Sequence, residues 1–94
     1  MVFDLSQVTG IGDYQEKKEK ERTLYLKGDK VFLVINKNTI EVRTDGELKK
    51  LLTEKYESVM ESRYFGRGGI EIVLARQLGV DDLNDLVRLS YNLS

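Results

Sequence analysis

Thr23 to Arg43 reads TLYLKGDKVFLVINKNTIEVR, three apolar-rich runs separated by turn residues at Gly28-Asp29 and Asn36-Lys37-Asn38. Short runs bounded in this way are the signature of hairpin-connected strands, so the stretch is expected to form a three-stranded meander. The middle run is apolar at every position from Val31 to Ile35, as a central strand covered on both faces requires. Ile40 and Val42 alternate with Glu41 and Arg43, the pattern of a half-buried strand.

Downstream, Thr44-Asp45-Gly46-Glu47 fits a T-x-x-E capping box, and Leu48, Leu51, Leu52 and Tyr56 then fall at helical spacing on one face. Residues 59–65 and 69–75 flank Gly66-Arg67-Gly68-Gly69, whose glycines permit positive φ in a tight connection, so a second hairpin is expected. After Gly79, Asp81 suits an N-cap, Asp82 and Asp85 suit the positive end of a helix dipole, and Leu83, Leu86, Val87 and Tyr91 line one face of a closing helix. Upstream, Glu16 to Arg22 is an unbroken run of charge that reads as a solvated edge or a charged helix turn. Before it, Val2, Phe3, Leu5, Val8 and Ile11 fit either a short strand or one helical turn capped by Asp4 or Ser6. Five apolar residues in so short a segment are too many for a free tail, so it should add an edge strand or fill a gap beside the sheet.

Two helices with one apolar stripe each, and a sheet with one strongly apolar face, are satisfied by a two-layer α+β sandwich. The expectation is a single domain over residues 1–94, with an antiparallel sheet of about five strands and both helices on one face. If Leu24, Leu26, Ile40, Val42, Ile70, Ile72 and Leu74 point at the helices, period-two alternation turns Tyr25, Lys27, Glu41, Arg43, Glu71 and Val73 to the open face. A further choice of register adds Phe32, Val34, Arg63 and Phe65 to that face.

Composition narrows the chemistry. Cysteine, histidine, tryptophan and proline are absent from the 94 residues, which excludes disulfides, thiol chemistry, Cys/His zinc sites and imidazole catalysis. Nothing points to an enzyme, and no cofactor or metal is expected. Asp81, Asp82 and Asp85 are explained by the helix dipole, and neither they nor the Glu41–Glu71 pair has the ligand spacing of a cation loop. Ser90 lacks a base to activate it, so Ser90-Tyr91 reads as packing. With no basic leader and no long apolar run, neither a signal peptide nor a membrane span is expected, and the cytoplasm is the default compartment.

Fifteen basic and sixteen acidic side chains leave a net charge of −1, so attraction to nucleic acid must be local. Residues 22–50 hold seven basic against four acidic side chains and residues 63–76 three against one, whereas residues 51–62 and 77–94 are each acidic by two. A sheet more basic than its helices follows. The sharpest candidate is residues 63–69, where two arginines, two aromatics and glycine-freed backbone N–H groups suit phosphate and a stacked base. The plain alternative is a hairpin loop with solvated arginines, since the segment lacks the lysine and helix start of a phosphate loop.

Lys27-Gly28-Asp29-Lys30-Val31-Phe32 resembles the "gK-x-F" strand of the YjbR/MmcQ-like family, and Asp82 to Leu93, with Leu86, Ser90 and Tyr91, resembles that family's terminal helix ending in L-x-x-S-Y-x-L. The likeness extends by element order over residues 24–94. The chain is also similar to short archaeal proteins of about this length. The family resemblance implies DNA binding through a double wing of hairpins. This chain departs from the family's pattern at its short N-terminus and in having Arg63 to Gly69 where the family has a tryptophan-bearing strand. The expected function is a non-catalytic DNA- or RNA-binding domain with weak, salt-sensitive affinity. Lys27, Arg43, Arg63 and Arg67 would meet phosphate, and Tyr25 or Phe65 would supply an aromatic surface. The rival is a protein-interaction or self-association module on the same face, with the chain a monomer or weak homodimer.

Overall fold

A computed structural model of the chain describes residues 3–74 and 78–94. Val2 and Ala75, read above as part of the N-terminal apolar set and of the second hairpin, lie outside the described residues. Among the described residues, six antiparallel strands form one sheet: β1 (Gln15–Lys18), β2 (Thr23–Lys27), β3 (Lys30–Ile35), β4 (Thr39–Arg43), β5 (Val59–Ser62) and β6 (Gly66–Val73), in the order β1-β2-β3-β4-β6-β5. Helices α1 (Gly46–Lys55) and α2 (Val80–Leu93) pack on one face, α1 against β5 and β6 and α2 against β3 and β4. The α+β sandwich is as expected, with one strand more. The additional strand is β1, all four residues of which are exposed; its charged side chains suit an unpaired sheet edge. No helix among the described residues is long and apolar enough to cross a membrane.

The sheet is organised in cross-strand rows, since residues directly opposite one another share a face. Tyr25, Leu33, Val42 and Ile70 form one row, and Ile35, Ile40, Ile72 and Val59 the next; both face the helices. Leu24, Val34, Glu41, Glu71 and Met60 form the intervening row on the other face. The expected orientation of β4 and β6 therefore holds, but that of β2 is reversed. Tyr25 packs into the helix-side core, and Lys27 sends its Nζ over the Tyr91 ring at 4.7 Å and to the Tyr91 carbonyl at 3.3 Å. Leu24 and Leu26 instead join Val31 and Val34 on the opposite side.

A bulge explains the middle strand. The register shifts between Tyr25 and Leu26, so that Tyr25 opposes Leu33, Leu26 opposes Val31, and Phe32 has no partner on β2. Phe32 and Leu33 consequently both enter the helix-side core, while Val31 and Val34 face away. The Phe32 carbonyl accepts a hydrogen bond from Ser90 Oγ, which in turn accepts one from the Arg43 N–H at 2.7 Å. Ser90 thus satisfies a backbone group of the bulged residue and one of the neighbouring β4, a role beyond the packing expected of it.

Asp45, rather than Thr44, caps α1: its carboxylate accepts the Leu48 N–H at 2.7 Å. Thr44 is buried with its hydroxyl unpartnered. Leu48, Leu52 and Tyr56 pack inward, but Leu51, 100° round the helix from Leu52, is 60% exposed. The expected stripe is narrower than four residues because α1 covers only the last two strands. Gly79 precedes α2 as its N-cap, placing Asp81 in the first turn rather than at the cap itself, while Leu83, Leu86, Val87 and Tyr91 are buried as expected.

Apart from the contact of Lys27 with Tyr91, the two helices leave the helix-side surface of β1 and β2 to the N-terminal segment. Asp4 caps a short 3-10 turn, Leu5–Gln7, by accepting from the Ser6 N–H, and Phe3, Leu5 and Val8 are buried in the main core. Of the two forms left open, the chain takes the helical turn and fills a gap beside the sheet. It is tied to α2 by Arg88 Nε, which donates to the Thr9 carbonyl at 2.6 Å, and by the Tyr91 hydroxyl, which donates to the Asp13 carbonyl at 2.8 Å.

Candidate nucleic-acid interface

Two glutamates stand side by side on the face opposite the helices, because Glu41 of β4 is register-paired with Glu71 of β6. Each is only 2% exposed. Like charges placed opposite one another in a sheet repel, so both carboxylates need a dense set of donors. Glu41 Oε1 accepts from Ser62 Oγ at 2.8 Å and the Tyr64 N–H at 2.9 Å, and Oε2 accepts from Asn36 Nδ2 at 2.9 Å. Arg63 grips Glu71 with both ends of its fork, Nε to Oε1 at 2.9 Å and Nη2 to Oε2 at 2.8 Å, and Thr39 Oγ1 adds a third bond at 2.7 Å. Asn36 Nδ2 also donates to Thr39 Oγ1, which joins the two sets into one network.

Burial pushes the Glu41 carboxyl up, but the donors from Asn36, Tyr64 and Ser62 and the Arg63 charge outweigh it and hold the group below the usual carboxylate range. The bond from Glu71 raises the Arg63 guanidinium further above its usual range. Both carboxylates are therefore anchors for the β5–β6 hairpin; their oxygens are already occupied, which leaves no open ligand set for a metal.

The anchored hairpin tip, Arg63-Tyr64-Phe65, folds back over the sheet. Gly66 follows it with φ +60°, the conformation that closes this turn. Gly68 and Gly69 lie within β6 without positive φ, so the expected role of the three glycines holds only for Gly66. Gly69 is needed for space: a Cβ there would lie 2.5 Å from the Val42 carbonyl and 2.7 Å from Phe65 Cβ. Phe65 packs on Leu24, Val31 and Val34, making a second small core on the face expected to be open. Gly69→Ala is expected to lower stability by about 1–3 kcal/mol through this overlap. Gly68→Ala, whose Cβ would approach only the Phe65 carbonyl at 3.6 Å, is expected to be tolerated. Equal denaturation midpoints for the two variants would contradict the packing.

Aromatic and guanidinium groups continue in line from this small core. The Arg43 guanidinium lies 5.0 Å from the Phe65 ring centre, the Tyr64 ring meets Phe65 edge-on at 5.0 Å, and Arg22 lies 5.0 Å over Tyr64. Beside that line opens a cleft of about 830 Å³ between the β1–β2 and β3–β4 turns, lined by Lys20, Arg22, Lys37 and Arg63 together with Glu19, Glu21, Asn36 and Glu41. Arg22 is paired with Glu19 and Arg63 with Glu71, whereas Lys20 and Lys37 carry no ion pair among the described residues.

Comparison with family models, curated proteins and solved structures finds no match to this chain.

The six residues expected to bind nucleic acid are divided by the fold. Tyr25 and Lys27 face the helix layer, on the wrong side of the sheet for a shared surface with the hairpin. Arg43 and Phe65 do come together on the helix-free face, although Arg43 donates its Nε to the Val31 carbonyl at 2.7 Å and Phe65 is partly buried; Arg63, on the same face, is held on Glu71 and lines the cleft. Arg67 is exposed on β6, with its carbonyl taken by Lys49. Sequence reasoning did not single out Lys20, Arg22, Asn36 and Lys37, and included Tyr64 only as one of the two aromatics of residues 63–69. The signal was present in the turn after β1, where the charge run ends in Arg22, and in Tyr64 beside Phe65 at the hairpin tip.

Proposed function

We propose that the chain is a non-catalytic nucleic-acid-binding domain that takes a single strand of RNA or DNA across the cleft on the helix-free face. The observation that carries this reading is the line Arg22–Tyr64–Phe65–Arg43 beside the unpaired Lys20 and Lys37. A stacking platform flanked by cations accepts any base and its phosphate without reading sequence. The double-wing resemblance and its hairpins point the same way. Only a few cations are uncommitted, so weak, salt-sensitive binding in the non-specific range of about 10⁻⁴–10⁻⁶ M is expected.

The experiment is a titration of labelled single- and double-stranded oligonucleotides with light scattering alongside. Tyr64→Ala is expected to weaken single-strand binding by about fivefold or more, as loss of one stacking contact does. Lys20→Ala combined with Lys37→Ala should weaken both substrates and flatten the salt dependence, while Asp82→Ala on the helix layer leaves binding unchanged. No retardation at about 10 mM salt, where screening is least, overturns the proposal. The rival interaction module on the same face is favoured by Met60, an exposed apolar residue on the β5 edge. It forecasts a concentration-dependent rise in mass without nucleic-acid binding.

A further inference from the structure

On the helix side of the sheet, the N-terminal segment and β1–β2 line a second cleft of about 470 Å³, to which neither helix contributes a lining residue. Its walls are aromatic and its charge is negative. Tyr14 and Tyr25 supply the rings, with Phe3 buried beside them, and Asp4 and Glu16 supply the carboxylates. Tyr14 and Tyr25 stand 5.9 Å apart at 68°, forming a corner, and Tyr14 is braced from behind by Phe32 at 6.2 Å and 74°. Tyr14 nevertheless remains 40% exposed, so part of it is open to a visitor.

We propose that this cleft binds an organic cation with a methylated or quaternary ammonium head. Aromatic ring faces attract such cations through their quadrupoles, and the attraction is greatest for ammonium groups that water hydrates weakly. The carboxylates are placed to add charge. Glu16 accepts the Tyr25 hydroxyl at 3.0 Å, which fixes the ring and the carboxylate relative to each other. Asp4 uses Oδ1 for both bonds to Ser6, and its Oδ2 has no hydrogen bond among the described residues. The Tyr25 phenol is pushed up to about 12 by burial and then by Glu16, Tyr14 and Asp4, as expected of a hydroxyl in a negative field. Lys18 is the cation that faces this group; it stands 3.8 Å from Glu16 and is 79% exposed, so a better-enclosed cation can replace it. A metal ion is a poorer fit, since two carboxylates against ring carbon cannot complete the oxygen shell of a hard cation.

The site is independent of the nucleic-acid reading and lies across the sheet from it. The test is a tyrosine-ring and amide NMR titration of the full chain with choline, with its uncharged isostere in which tert-butyl replaces trimethylammonium, and with a trimethyllysine peptide beside its unmethylated form. Choline is expected to shift Tyr14, Glu16 and Tyr25 saturably, and the isostere to bind at least about tenfold more weakly because it retains shape without charge. Tyr14→Ala should weaken choline by about fivefold or more. Asp4→Asn with Glu16→Gln preserves volume and the capping group while removing charge, so it should weaken binding with the fold intact. Tighter binding of the methylated peptide than of choline assigns the ligand to a modified protein side chain; the reverse assigns it to a free amine. Equal response to choline and its isostere, or shifts mapping away from Tyr14 and Tyr25, overturns the proposal.

Discussion

Phe32→Ala is expected to destabilise the protein by about 3–5 kcal/mol, a large part of the stability of a domain of this size. Phe32 is fully buried and meets the Tyr91 ring edge-on at 5.0 Å, so truncation leaves a cavity at the junction of β3 and α2. The bulge restricts any collapse into that cavity, because Ser90 holds the Phe32 carbonyl in place. Leu86→Ala, at a buried position of α2, should cost about 2–5 kcal/mol. By contrast Leu51→Ala should fall within about 0.5 kcal/mol of wild type, as exposed substitutions do, although helical spacing alone places Leu51 on the apolar stripe. Chemical denaturation that ranked Leu51→Ala with Phe32→Ala would contradict the packing of α1 and the bulge together.

Element order was legible because each strand and helix from Thr23 onward carries its own period and its own turn residues. β1 was harder to read, since a four-residue strand exposed at every position has no alternation to display. The face taken by β2 was not legible at all. Alternation states that Leu24 and Tyr25 point opposite ways but not which of them meets the helices; that is settled by pairing Leu24 with Val34 and hence with Glu41 in one row. The bulge at Phe32 hides this further by adding a residue to β3, so that simple alternation along Val31 to Ile35 assigns faces incorrectly. The candidate site was half legible for the same reason. Arg43 and Phe65 meet, with Arg63 held on Glu71 in the same hairpin tip, because Glu41 and Glu71 draw that tip over the sheet. Spacing within one strand carries no information about that cross-strand pair. Tyr25 and Lys27 were assigned to the same surface only through the reversed orientation of β2.

Removing the Glu41 charge should have the largest effect on the helix-free face. Glu41→Ala leaves Ser62 Oγ, the Tyr64 N–H and one bond of Asn36 without their acceptor, and is expected to cost about 3 kcal/mol or more. Acid should act in the same direction. The folded carboxyl is held below the usual range, so its contribution is present in full above the unfolded glutamate pKa of about 4.3 and is lost as pH falls through the lower folded value. Glu19 and Glu61 are also held low, by Arg22 and Lys49, but they are exposed, and solvent screens their pairs. The acid limb of the stability curve should therefore belong mainly to the buried network. Glu41→Gln keeps the shape and one acceptor oxygen, so it should start less stable than wild type at neutral pH and decline less below about pH 4. The hairpin should loosen first, with Phe65 leaving Leu24 and Val34 before the helix-side core unfolds, since that small core depends on the anchored tip. Methyl NMR of Leu24 and Val34 through an acid titration reads this step directly. Superimposable acid limbs for wild type and Glu41→Gln, with the Phe65 contacts unchanged, would show that the hairpin is held by packing alone.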